Sequence, residues 1–147
     1  MHKKYFRLTL ILFLIDRLTK ELISRTFEYA QSIPVLKDVL HLTYITNTGI
    51  AFGMGQGKNI VFIILSLVII GILVFFFLKT KNMVELASLS LILAGALGNM
   101  FDRVFYGEVI DFIDLRIWPV FNLADSFVTI GGVVLFYQEF IKKRSRK

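Results

Sequence analysis

The chain has 147 residues, of which 56% are hydrophobic and 19% charged, with a mean hydropathy of +0.70 and a formal net charge of +6. This excludes a disordered polymer, which needs low hydrophobicity and high charge, and it directs the basic excess toward a membrane rather than nucleic acid. The lack of cysteine excludes disulfides, a thiol nucleophile and Cys-ligated metal, while the length suits one domain with about four spanning helices.

The first predicted span covers residues 6–24. Its apolar run Leu8–Ile15 is followed by Asp16, Arg17, Lys20 and Glu21. A cleavable signal peptide has a similar basic start, but no A-x-A-like site follows the run. Spacing instead pairs Asp16 with Lys20 and Arg17 with Glu21 on a helix face. Pairing lowers the cost of charge near a bilayer. An outer loop follows over residues 25–59. Within it, Val39–Thr46 reads as a strand, rich in β-branched and aromatic residues. The next segment holds Gly49, Gly53, Gly55 and Gly57, which suit turns at a small sheet or an ordinary linker. Gly53 and Gly55 would let this segment move as a lid.

The second span, residues 60–78, is uncharged and about 28 Å long, enough for the hydrocarbon core. Phe75–Phe77 at its end reads as lipid-facing. The third span covers residues 86–102, a second outer loop residues 103–120, and the fourth span residues 121–140. Ten of the 17 Lys and Arg residues lie before span one, between spans two and three, or after span four. These include Lys3, Lys4, Arg7, Lys79 and Lys81, and Lys142, Lys143, Arg144, Arg146 and Lys147 at the end. The positive-inside rule therefore predicts both termini in the cytoplasm. His2 falls on that side, and the lone strand histidine His41 reads as structural.

Polar groups gather at the outer ends of spans three and four rather than crossing the midplane. That argues for a site at the bilayer surface and against an ion or proton path. Gly95, Asn99 and Arg103 share one helix face. Asn122, Asp125 and Ser126 open span four. Asp111 and Asp125 are candidate acids: two carboxylates in one site hold one proton between them, so one acts as base on water and the other as acid toward a carbonyl. The dipole at the start of span four favours charge on Asp125, and apolar neighbours favour a neutral Asp111. The same acids would also serve as helix caps or as partners of Arg103 and Arg116, and spacing leaves both readings open. Asp102–Arg103 reads as an interface charge couple, and Asp114 as a partner of Arg116.

Five motifs then carry a resemblance: Asp16–Lys20 (DRLTK), Asn47–Gly53 (NTGIAFG), Gly95–Arg103 (GALGNMFDR), Val109–Phe112 (VIDF) and Phe121–Ser126 (FNLADS). In this order the chain resembles the lipoprotein signal peptidases, the type II signal peptidases of bacteria. The resemblance implies an all-α membrane protein, a four-helix transmembrane bundle with a small β platform in the first outer loop, forming a single peptidase domain over residues 1–147. It implies an aspartic endopeptidase of the bacterial cell membrane that cuts diacylglyceryl-modified prolipoproteins just before the lipidated Cys, at the outer face. Asp111 and Asp125 fall at the family's catalytic pair. Asn47, Gly95, Asn99, Arg103 and Asn122 fall at residues lining or supporting its substrate groove, and Asp16 with Lys20 at a structural polar pair. Neither cofactor nor metal is implied; globomycin-type inhibitors and membrane lipids are expected partners, nucleic acid is not, and a monomer suffices. The rival expectation is a non-enzymatic transporter or assembly subunit, in which both acids tolerate Asn.

Overall fold

The computed structural model describes residues 1–49 and 57–145, with side chains described as far as Ile141. The proposed hinge glycines Gly53 and Gly55, the end of the NTGIAFG motif, and the side chains of the last basic cluster lie outside the described residues. Four helices carry the chain: α1 (His2–Thr26), α2 (Asn59–Lys79), α3 (Met83–Phe105) and α4 (Leu123–Ser145). Three strands lie between them, β1 (Ser32–Leu36), β2 (Leu40–Asn47) and β3 (Val109–Asp114).

The central helix is α3, which packs against each of the other three. Asn82 starts it by accepting from the backbone N–H groups of Val84 and Glu85, at 2.9 and 3.1 Å, which satisfies two otherwise orphaned donors. Leu86, Leu89 and Leu93 recur on its inward face and meet Tyr5 of α1 and Phe77 of α2 in the buried core. Two glycines bring α3 and α4 together. A Cβ at Gly95 would run into the carbonyl oxygen of Ala124, and one at Gly131 would lie 2.7 Å from the Ser88 carbonyl oxygen. Small residues at such crossings let backbones approach closely.

The outward surface is apolar. Leu18 and Leu22 on α1, Ile64 and Val68 on α2, and Val133 and Phe136 on α4 are all exposed. A contiguous apolar exterior of this extent marks a lipid-facing surface. Both α2 and α3 are long and apolar enough to cross a membrane. Of the Phe75–Phe77 run, Phe75 and Phe76 face outward as expected, but Phe77 turns into the core.

The sheet differs from the expected platform. It has three antiparallel strands in the order β1-β2-β3, and the third comes from the segment between α3 and α4. The platform is therefore built by both loops. β1 is an exposed edge strand holding Pro34, whose missing N–H suits an edge. Its hairpin to β2 turns at Asp38, with φ of 60°, a conformation short polar side chains tolerate. On β2–β3, Asn47 pairs with Val109, beyond a bulge between Leu42 and Ile45. This register sets Asp111 opposite Ile45 of β2. Phe121 then bridges back to Ile113, and α4 begins two residues later.

Candidate active site

Asn122 sits fully buried immediately before α4. Its Oδ1 accepts from the Asp125 N–H at 2.9 Å, and its own N–H donates to Asp125 Oδ2 at 3.3 Å. This is a reciprocal capping box. The Asn122 Nδ2 group donates to Asp111 Oδ1 at 2.7 Å, to Asn99 Oδ1 at 3.1 Å and to the Ile110 carbonyl at 3.2 Å. Asn99 Nδ2 in turn donates to Asp125 Oδ1 at 2.7 Å. Two asparagines thus supply a donor to each aspartate. The two alternatives left open for Asp125 are joined: the same carboxylate caps its helix and faces the site.

Asp111 and Asp125 both line one cleft of about 310 Å³, together with Asn47, Asn99 and Arg103. Trp118, Phe121 and Val128 supply apolar wall. A neighbouring groove of about 420 Å³ shares Trp118, Phe121 and Asp125 and continues past Ser126 to Ile130 along α4. Gly95 and Asn122 do not line the cleft but stand behind it. Burial, and then the nearby charge of Asp125, push the Asp111 carboxyl up to about 7, against the smaller opposing effects of Asn122, Lys20 and Asn47. Arg103 donates to the Gly49 carbonyl at 3.0 Å, tying the segment after β2 to α3.

Asp16 and Lys20 pair as expected, at 3.0 Å with both side chains fully buried. They do not stand alone, because Lys20 also contacts Asp102 at 2.8 Å and Asn99 Oδ1 at 2.9 Å. Two expected pairings are corrected. Arg17 bonds Asp102 rather than Glu21, which pairs with Arg25 at 2.5 Å. Asp102 consequently faces α1, while Arg103 turns toward the cleft, so they are not a couple. A helix places neighbours about 100° apart, which sends consecutive side chains to different partners. Gly98, which sequence reasoning passed over, makes room for this cluster: a Cβ there would collide with Asp16 Oδ2. Its place inside the GALGNMFDR motif was the available signal. Asp114 does bond Arg116, at 3.0 Å, and His41 bonds Ser32 at 3.1 Å as a structural strand residue.

The family described as Signal peptidase (SPase) II matches residues 8–141. The lipoprotein signal peptidase of Halothermothrix orenii is 47% identical over 128 residues, covering 86% of this chain and 88% of that protein. That of Staphylococcus aureus strain MRSA252 is 42% identical and spans 100% of this chain and 96% of its own. The chain belongs to the signal peptidase II family. Two solved bacterial membrane enzymes share its fold. One gives a TM-score of 0.94 at 35% identity, covering 99% of this chain and 92% of its own. The other gives 0.85 at 36%, covering 94% and 96%. As a signal peptidase II, the protein is a membrane aspartic peptidase that processes prolipoproteins. This membership replaces the rival reading of a non-enzymatic transporter or assembly subunit.

Proposed function

We propose that Asp111 and Asp125 are the catalytic pair of this signal peptidase II. The observation that carries this reading is their shared cleft with unequal surroundings. Asp125 receives a donor on each oxygen, which orients its carboxylate toward the cleft. Burial and the nearby charge of Asp125 push the Asp111 carboxyl up to about 7. The ionised Asp125 takes a proton from water as the water oxygen bonds to the scissile carbonyl carbon. Asp111 delivers its proton toward the carbonyl oxygen. Collapse of the tetrahedral species breaks the C–N bond: the amine leaves with the proton held by Asp125, and one hydroxyl of the tetrahedral carbon returns its proton to Asp111 as the carboxylic acid product forms. Both acids are then back in their starting states.

The bond cut is the one just before the lipid-modified Cys of a diacylglyceryl prolipoprotein. The apolar groove along α4 opens beside Asp125 and suits hydrocarbon next to the reacting amide. Asn47 and Arg103 contact the substrate in the cleft, while Gly95, Asn99 and Asn122 support the pair. Residues 1–147 form one peptidase domain in which all four helices span the cell membrane. Both termini lie in the cytoplasm, as the basic clusters favour, and the sheet caps the site at the outer face. A monomer suffices because one chain holds both acids. Globomycin-type inhibitors occupy the same cleft.

The test is cleavage of a lipidated prolipoprotein by purified enzyme, with and without globomycin. Asp111→Asn and Asp125→Asn are each expected to abolish cleavage while the protein still folds and inserts. Substantial turnover by either variant overturns the pair.

A further inference from the structure

The two catalytic candidates are served by asparagines, and an asparagine amide has two ends of nearly equal size and opposite hydrogen-bonding character. What decides which end faces an acid is therefore a question about neighbours rather than shape. We infer that Lys20 is a positioning residue for the reaction, because its buried ammonium fixes the direction of the Asn99 amide and so aims an N–H donor at Asp125. The inference rests on the pair proposed above.

An ammonium only donates. Lys20 Nζ lies 2.9 Å from one end of the Asn99 amide, so that end is Oδ1. The other end, 2.7 Å from Asp125 Oδ1, is then NH₂. Asn122 adds to the same polarity. Its oxygen is occupied by the Asp125 N–H, so its NH₂ meets Asn99 Oδ1 and Asp111 Oδ1. Direction thus passes from Lys20 to Asn99, and both acids end up facing donors. A reversed Asn99 amide would set an oxygen against the Asp125 carboxylate, in a setting where low dielectric makes the mismatch costly.

A purely structural lysine would need less. Its ammonium already forms ion pairs with Asp16 and Asp102. With Arg17 those acids already form a neutral set of two positive and two negative charges. Nothing in that balance requires the ammonium to donate to Asn99, as it does at 2.9 Å. Lys20 also bears on Asp111 through space, opposing the rise caused by burial. The charged groups facing Asp111 are Asp125 from α4, Lys20 from α1 and Arg103 from α3. Asp102 of α3 reaches the neighbouring Ile110 N–H at 3.4 Å, and β2 contributes the uncharged Asn47.

The experiment uses the double variant Asp16→Asn/Lys20→Met in detergent micelles. It removes the ammonium donor and one acid together, so the buried set stays neutral. With a lipidated prolipoprotein, kcat is expected to fall about tenfold or more, as for a lost oriented donor, while KM changes little. The alkaline limb of the kcat profile is expected to move up by about half a unit or more, because the positive charge opposing the Asp111 rise is gone. A folded double variant with kcat within about twofold of the parent and an unmoved limb overturns the inference. If the double variant does not fold, the parent enzyme answers instead. With ¹⁵N-labelled lysine and ¹³C-labelled asparagine, a direct contact between Lys20 Nζ and the Asn99 side-chain carbonyl carbon is expected by solid-state NMR, and its absence overturns the inference. Asp111→Asn and Asp125→Asn are assayed alongside. If either cuts substrate, the pair fails and Lys20 fails with it. If both are inert and the double variant keeps both its kcat and its limb, only the Lys20 inference fails.

Discussion

Asn122 shows how much one buried side chain organises. It caps α4 with its oxygen and serves Asp111, Asn99 and Ile110 with its nitrogen. Asp125 shares that cap, so the site is anchored to a helix start rather than to a loose loop, which is how precise catalytic geometry is held. Asp111 makes a prediction at this scale. In the proposed mechanism its active form is the protonated one, and its carboxyl is raised to about 7. Raising the pH removes that proton, so kcat is expected to fall about tenfold per pH unit above about 7. The pH dependence of single-turnover cleavage, at saturating lipidated substrate, checks this. Activity that still climbs between pH 7 and 9 would contradict it. Both acids were legible as candidates from charge placed at the ends of apolar segments. The asparagine polarity was not, because it depends on four elements meeting.

Among the elements, α3 does the most positioning. One face carries the Leu core, another Gly95, Gly98 and Asn99, and its last turn Asp102 and Arg103. Gly95→Ala is expected to drive a methyl into the Ala124 carbonyl and the Val128 side chain. Overpacking of that kind costs about 1–3 kcal/mol. It would also displace the first turn of α4, so lower thermal stability in micelles should accompany weakened cleavage. Unchanged melting would show that α4 can retreat freely. The strands teach a different lesson. β3 had no alternating pattern to announce it, because VIDFID is buried on nearly every residue, and a strand covered on both faces loses its period of two. β1 was likewise hidden, being short, exposed and interrupted by Pro34. β2, half-buried along most of its length, was readable to within a residue at each end.

For the whole molecule, the inverted distribution of polarity is the governing fact. Lys20, Asp16 and Asp102 are fully buried, whereas Leu18, Ile64, Val68 and Phe136 face outward. In water this arrangement would be unstable, and in lipid it is the favourable one. Val68 lies near the middle of α2 and is 55% exposed. Val68→Lys is expected to cost about 2.5–3.5 kcal/mol of insertion free energy, measurable as a reduced membrane-integrated fraction. Full integration of that variant would mean that α2 does not meet lipid on this face.

Sequence alone determined the membrane class and the family, and it nominated the two acids. Hydropathy, charge bias and motif order are local quantities, and each is written along the chain. Tertiary structure alone decided the partners. Whether Arg17 meets Glu21 or Asp102, whether the platform takes one loop or two, and which end of Asn99 faces Asp125 all depend on how α1, β3 and α4 close on α3. The contacts joining Asp16 to Ala124 and Lys20 to Asn99 span 108 and 79 positions of sequence. No local period encodes a pairing across such distances, since it exists only once the helices have packed.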